Sequence, residues 1–151
     1  MLRTLILALF LALTLPLGAC ESTVELENAA PRVTFFAAAP AVDGVVELTV
    51  WISDQDGDPV DLEVSWAADG SSAQTPQWAP GGHGLSGLTT VEGRFDPAGS
   101  PHLLRWDVSE VEANATVRFT MAPHDGTDAG LEVISPAFVP ADGIDGAVAV
   151  Q

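Results

Sequence analysis

The sequence has a single cysteine, Cys20, among its 151 residues, and it has no lysine. Without a second cysteine no intramolecular disulfide can form, so packing alone must hold the fold together. Basic residues number five, all arginine, against 21 acidic residues, and the formal net charge is −16. Nucleic acid and anionic lipid surfaces would repel such a chain, which excludes a DNA-binding role.

Catalytic motifs are also missing from the sequence. The three histidines, His83, His102 and His124, are scattered along the chain, and no HExxH or G-x-S-x-G motif surrounds any of them. There is no phosphate-binding loop, haem motif or dinucleotide fingerprint. We therefore predict that the protein is not an enzyme, and an independent hydrolase is the least favoured interpretation.

The one long apolar run lies at the N-terminus. A single charge, Arg3, precedes the apolar residues 5–17, and two small residues follow before Cys20. This arrangement is typical of a secretory signal, and the run is shorter than the roughly 18–20 residues that cross a bilayer. Two other interpretations stay open: an incidental thiol beside an ordinary signal-peptidase site, and an uncleaved anchor.

The run Leu17-Gly18-Ala19-Cys20 resembles the lipobox of bacterial lipoproteins. The resemblance implies that the thiol of Cys20 is diacylated and that the chain is cut just before it. Residues 1–19 are then a lipoprotein signal peptide, and residues 20–30 form a lipid-anchored tether in the bacterial cell envelope. Glu21 stands where some lineages use aspartate to retain lipoproteins at the inner membrane, which favours the outer membrane.

The rest of the chain, about one domain in length, alternates apolar and polar residues with a period of two. The clearest strands are residues 44–53, 59–66 and 115–121, and weaker ones are residues 33–36, 88–95, 103–108 and 131–139. Such alternation is typical of antiparallel sheets with one buried face. We predict an all-β, immunoglobulin-like antiparallel β-sandwich of about seven strands over residues 31–142, followed by a C-terminal tail at 143–151.

Residues 53–66 (SDQDGDPVDLEVSW), 103–130 and 135–142 resemble a repeat unit of bacterial exported proteins. That unit belongs among the fibronectin type III, cadherin-like and other immunoglobulin-like domains. The resemblance implies the sandwich fold and says little about function, because these domains act as spacers, adhesins and accessory modules. No second copy is present, so we expect a single anchored domain and a monomer.

One turn of the predicted sandwich carries carboxylates at alternate positions. Oxygen ligands of this kind suit a hard cation such as calcium, and Gly57 supplies the tight turn. In immunoglobulin-like topology this turn lies at the same end as the turn before the last strand and the segment that enters the first strand. The predicted ligands are Asp54, Asp56, Asp58, Asp125 and Asp128, with Glu27 and Asn28 from the entering segment. The alternative is that these aspartates only cap their own turns.

The four tryptophans divide by position. Trp66 and Trp106 lie in alternating strands and are predicted to be in the core. Trp51 falls on the outer face of its strand, and Trp78 lies in the Gly/Pro-rich stretch 67–87. Trp51 and Trp78 are candidate contacts for a protein or glycan partner, and the alternative is that each covers a sheet edge or loop.

Together these features predict a non-enzymatic, lipid-anchored envelope protein that acts as a binding, adhesion or structural module. The alternative is an accessory subunit of an envelope enzyme or secretion complex, which would dock through Trp51 and Trp78. The partners expected are the membrane, through acylated Cys20, and a protein or glycan, with no nucleic acid.

Overall fold

The computed structural model describes residues 28–90 and 98–150, so Cys20, Glu27 and the predicted signal lie outside the described residues. The described residues form seven strands and no helix, and hence no helix long and apolar enough to cross a membrane. The strands are β1 (Arg32–Ala38), β2 (Val45–Ser53), β3 (Asp61–Ala68), β4 (Ser100–Asp107), β5 (Val117–His124), β6 (Val133–Ile134) and β7 (Val148–Ala149).

The strands form two antiparallel sheets. One sheet has the order β4-β2-β1-β7 and the other has the order β3-β5-β6. Each places alternate side chains in a shared core, as two layers must in order to bury their apolar faces. The prediction of an all-β antiparallel sandwich of seven strands is confirmed.

The core follows the alternation in the sequence. On β2 the four inward residues, Val46, Leu48, Val50 and Ile52, are at most 1% exposed. Both predicted core tryptophans are buried, and their rings lie 5.1 Å apart between the two sheets. Trp106 also meets the edge of Phe119 at 4.9 Å, an arrangement that aromatic rings favour over a face-to-face sandwich. The aromatic side chains therefore join the two layers.

A β-bulge at Thr34 sets the face of the aromatic residues that follow it. Val33 pairs with Ile52 but Phe35 already pairs with Trp51, so Thr34 is the extra residue. Phe35 consequently points outward, and Phe36 turns into the core, where it is fully buried. Period-two alternation alone would have placed Val33 and Phe35 on the same face.

Two of the weaker strand predictions are longer than the strands observed. Within residues 131–139 only Val133–Ile134 forms a strand, because Pro136 has no N–H to donate to a neighbour. The chain touches β5 again where Phe138 bridges Val117. Of residues 88–95, positions 88–90 contribute a single bridge from Leu88 to Val60, and 91–95 lie outside the described residues.

The C-terminal segment, expected to be a tail, contributes a strand. Val148 and Ala149 pair with Phe36 and Phe35 on β1, which extends the first sheet by one strand. The turn that precedes this strand lies tightly against β1: a Cβ on Gly143 would lie 2.5 Å from the carbonyl oxygen of Ala38.

In the long connection between β3 and β4, residues 69–90 form a strap along the edges of both sheets. Gln74 exchanges two backbone hydrogen bonds with Trp66 on β3, and Leu88 does the same with Val60. Between these contacts the strap crosses to β4, where Ala79 N–H donates to the Arg105 carbonyl at 2.7 Å. The strap thus occupies backbone groups at the edges of both sheets that could otherwise pair with another chain.

Candidate functional site

The predicted ligand residues lie at the end of the sandwich where the chain enters β1, which we call the near end. It comprises the leading segment (residues 28–31), the β2–β3 turn (residues 54–60) and the β5–β6 turn (residues 125–130). β1 and β2 are antiparallel, so the start of β1 lies beside the end of β2 (Arg32 opposite Ser53), and β3 and β5 are antiparallel, so the start of β3 lies beside the end of β5 (Asp61 opposite His124). The opposite end, called the far end, comprises residues 39–44, 108–116 and 139–143.

Asp54 stabilises the β2–β3 turn from inside. Its Oδ1 accepts the backbone N–H groups of Asp56 (2.7 Å) and Gly57 (3.1 Å), which is an Asx-turn. Gly57 has a φ of +80°, a conformation that glycine adopts without strain. Asp54 is only 1% exposed, and its Oδ2 has no hydrogen-bond partner among the described residues. A buried carboxylate oxygen without a partner is costly, so this atom is an unusual feature of the near end.

Asp125 stabilises the β5–β6 turn in the same way. Its Oδ1 accepts the N–H groups of Thr127 (2.8 Å) and Asp128 (2.7 Å). Partial burial raises the pKa of Asp125, but the hydrogen bonds from Asp128, the Asn28 amide and Thr127 outweigh it and leave this pKa below its ordinary value. The carboxylate is therefore ionised under ordinary conditions.

The leading segment lies between these two turns. The Asn28 amide donates to Oδ2 of both Asp125 (2.8 Å) and Asp128 (3.1 Å), and the Ala29 N–H donates to Asp56 Oδ2 (2.7 Å). Gly130 permits the close approach, since a Cβ there would overlap the carbonyl oxygen of Pro31. The structure therefore fixes the chain from Asn28 onward, three residues before the predicted domain boundary.

These contacts bring together most of the predicted ligands, but N–H donors already occupy several of their carboxylate oxygens. Asp58 is exposed, and only its backbone carbonyl is used, by the Thr90 hydroxyl. Within residues 28–90 and 98–150 no three acidic, histidine or cysteine side chains converge closely enough to hold a metal ion. The Asn28 amide instead lies between two carboxylates and donates to both.

Trp51 and Trp78 do not form a common patch. Trp51 is half-buried on the outer face of β2, where its ring meets Phe35 at 6.3 Å. Trp78 packs against the core at the outer edge of β4 and bridges Trp106. Since Trp51 pairs with Pro101 and Trp78 with Trp106, five residues apart on β4, the two side chains are separated by about 17 Å along the strand.

Two of the scattered histidines meet, which the sequence did not indicate. Buried His102 faces inward opposite Val50, and its Nε2 donates to the Thr89 carbonyl at 3.0 Å. The ring of His83 lies 5.7 Å away, and its Nδ1 accepts the Leu103 N–H at 3.3 Å. The strap causes this meeting, because it places residue 83 beside β4. No local pattern in the sequence encodes that contact.

The chain matches no family model, no curated protein and no solved structure.

Proposed function

We propose that the protein is a non-enzymatic, lipid-anchored module of the bacterial envelope that binds a partner or serves a structural role. The proposal rests first on the run that ends at Cys20, which has the order expected of a lipidated N-terminus: charge, apolar run, small residues, cysteine. Two or three acyl chains, each buried CH₂ contributing about 0.8 kcal/mol, suffice for stable membrane attachment.

The attachment of the leading segment to the near end supports a fixed orientation of the sandwich relative to the membrane. Asn28 and Ala29 are hydrogen-bonded to both turns of the near end, so the sandwich is held from residue 28. Asn28 lies eight positions after Cys20, and fully extended this stretch spans at most about 29 Å. On this proposal the near end faces the membrane and the far end faces away from it.

The non-enzymatic part of the proposal is supported by what two of the three histidines, His83 and His102, contact. His102 donates to a backbone carbonyl inside the sandwich, and His83 accepts a backbone N–H from β4. Both therefore join the strap to β4. General-base catalysis instead needs an imidazole within reach of a nucleophile or a substrate proton.

The decisive experiment is a Cys20→Ala variant of the full-length chain, compared with the parent by membrane fractionation and fatty-acid labelling. We expect the parent to fractionate with membranes and to incorporate label, and the variant to lose the label and leave the membrane. A Cys20→Ala chain that remains labelled and membrane-bound to the same extent would contradict the proposal.

We further propose that the near end binds calcium weakly. The supporting observation is Asp54 Oδ2, a buried carboxylate oxygen without a hydrogen-bond partner among the described residues, in the turn that also carries Asp56 and Asp58. Asn28 is the second support, because it lies between Asp125 and Asp128, and its amide oxygen would face them after a 180° rotation. Extracellular calcium modules bind on the order of 10⁻⁴–10⁻³ M, and the same range is expected here.

A further inference from the structure

The far end carries an apolar cleft that the proposed function does not yet use. Its volume is about 180 Å³, and its lining is apolar except for Glu112. The main apolar contributors are Ala41, Val108, Val111, Val139 and Pro140. A cleft of this size and lining accommodates one apolar side chain of a partner and is too small for a large ligand.

Backbone hydrogen bonds hold the walls of the cleft together. The Val108 N–H donates to the Gly44 carbonyl at 2.9 Å, and the Ala41 N–H donates to the Pro140 carbonyl at 2.8 Å. The adjoining β1–β2 hairpin closes with two bonds between Val42 and Val45, at 2.9 and 3.0 Å. All three connections of the far end are thus joined, and the cleft is preformed, which lowers the entropic cost of binding.

The hairpin also presents apolar surface beside the cleft. Asp43 and Gly44 both have positive φ, as a two-residue type I′ turn requires, so the tip has a defined shape. Val42 at this tip is 69% exposed, which makes it one of the most exposed large hydrophobic residues described. Val42 lines a neighbouring depression with Asp43 and Arg105, so it adds exposed apolar surface to the far end outside the cleft itself.

Glu112 is the charged residue that lines the cleft, and the other charged side chains on the three connections that form it are also acidic. Asp43, Glu110, Glu112 and Asp142 are all exposed on the three connections of the far end. The two ion pairs found among the described residues use other carboxylates: Arg105 pairs with Glu47, and Arg118 pairs with Asp69. The four rim carboxylates therefore have no cationic side chain of the described chain as a partner.

We infer that the far-end cleft binds a cationic segment of a partner protein, with one apolar side chain in the cleft and flanking basic residues facing the rim carboxylates. The sign of the charge selects this occupant. A second copy of the chain carries the same net charge of −16 and is repelled, as are nucleic acid and anionic lipid. The inference rests on the proposed binding function and specifies its partner.

The test uses the purified full-length chain and three capped peptides, Gly-Arg-Gly-X-Gly-Arg-Gly, in which X is leucine, phenylalanine or glycine. We expect the leucine and phenylalanine peptides to shift the backbone amide signals of Ala41, Val108 and Val111 in ¹⁵N NMR spectra. Their affinity should exceed that of the glycine peptide by about tenfold, because only they place an apolar group in the cleft. The affinity of the leucine and phenylalanine peptides should fall about threefold between about 20 and about 200 mM salt.

Two variants separate the contributions of the cleft and of the rim. Val111→Asp places a charge in the cleft and should abolish the difference between the leucine and glycine peptides. Glu112→Lys, at an exposed position that tolerates substitution, should weaken all three peptides by about threefold at low salt. Glu132→Lys makes the same charge change at an exposed position next to β6 and serves as the matched control, with no loss expected.

The inference is overturned if none of the peptides shifts these signals, or if all three bind equally and Val111→Asp has no effect. Crosslinking in membranes then distinguishes the two proposals. A partner captured equally by the parent and by Val111→Asp rejects the cleft but retains the binding function. A chain that is absent from the membrane fraction rejects the proposed function itself.

Discussion

At the scale of single residues, His102 has the most unusual environment. It occupies an inward position of β4 that the alternation assigns to the core, and only 4% of its surface is exposed. Burial lowers the pKa of His102, the hydrogen bond to Thr89 partly opposes this, and the nearby His83 lowers the pKa further. The folded protein therefore holds this imidazole neutral, with its proton on the nitrogen that faces Thr89.

This environment predicts a pH dependence of stability. The unfolded chain protonates His102 near the ordinary histidine pKa of about 6.5, whereas the folded chain binds that proton only at lower pH. Between these two pKa values the unfolded state binds more protons than the folded state. The contribution of neutral His102 to the free energy of unfolding is therefore complete above about pH 6.5 and is lost as the pH falls through the folded-state pKa. Urea unfolding at intervals from about pH 7.5 to about pH 5 measures it.

The control for this prediction is His102→Gln, which keeps a side-chain donor but does not titrate. The difference in free energy of unfolding between parent and variant should shrink as the pH falls. Comparing the two proteins at each pH cancels the general effect of a falling net negative charge, because that effect is common to both. A difference that stays constant over the whole range would show that His102 does not cause the pH dependence.

At the scale of elements, the strap at residues 69–90 is the feature on which the sandwich most depends, because it borders both sheets. Its closest approach is at Gly82, where a Cβ would lie 3.1 Å from the Leu103 carbonyl oxygen and 3.3 Å from the Arg105 nitrogen. Both of these atoms belong to the backbone of β4 and cannot rotate away. A Cβ here would therefore be tight against β4, and the β4 backbone would have to move by a few tenths of an ångström to admit it.

We predict that Gly82→Ala lifts the strap from β4 and lowers the free energy of unfolding by about 1–3 kcal/mol. Hydrogen exchange should become faster at the Ala79 and His83 N–H groups, which donate to β4. Gly84→Ala is the matched control: its Cβ meets open space, but its φ of +82° carries backbone strain. It should cost about 1 kcal/mol and leave exchange at Ala79 unchanged. Equal exchange in the two variants would contradict the steric explanation.

At the scale of the whole molecule, acidic groups are present at both ends, in different settings. At the near end the Asn28 amide and backbone N–H groups hydrogen-bond to several carboxylates, whereas the buried Oδ2 of Asp54 has no partner among the described residues. At the far end the carboxylates are exposed around an apolar cleft. We therefore propose a small cation at the near end and a cationic partner at the far end.

Calcium at the near end would join the leading segment to both turns. Binding of this kind should raise the melting temperature of the whole domain. We predict that about 10 mM calcium raises the melting midpoint by about 5 °C relative to chelator at equal ionic strength, given binding of about 10⁻⁴–10⁻³ M. Asp54→Asn keeps a side-chain oxygen for the turn but removes the charge, and it should abolish the shift. An identical shift with sodium chloride, or in Asp54→Asn, would attribute the effect to charge screening.

Several properties were determined by the sequence alone because their causes are local. Alternation along β2 specified which residues face the core, since successive side chains of a strand point to opposite faces. The Asp-x-Asp-Gly pattern specified the Asx-turn at Asp54. The positions of Trp66 and Trp106 in alternating segments were enough to place them in the core. The meeting of three segments at the near end, which is not local, was predicted only by assuming immunoglobulin-like topology.

Other properties depend on contacts between residues distant in sequence, and only the tertiary structure decided them. The bulge at Thr34 arises from pairing with β2, and it reverses the face of Phe36 that period-two alternation predicts. The strap separates Trp78 from Trp51 and brings His83 to His102, because it follows the edge of β4. The far-end cleft exists only where three connections meet. Side-chain periodicity encodes the faces of each strand, whereas the packing of connections against edges depends on the complete sandwich.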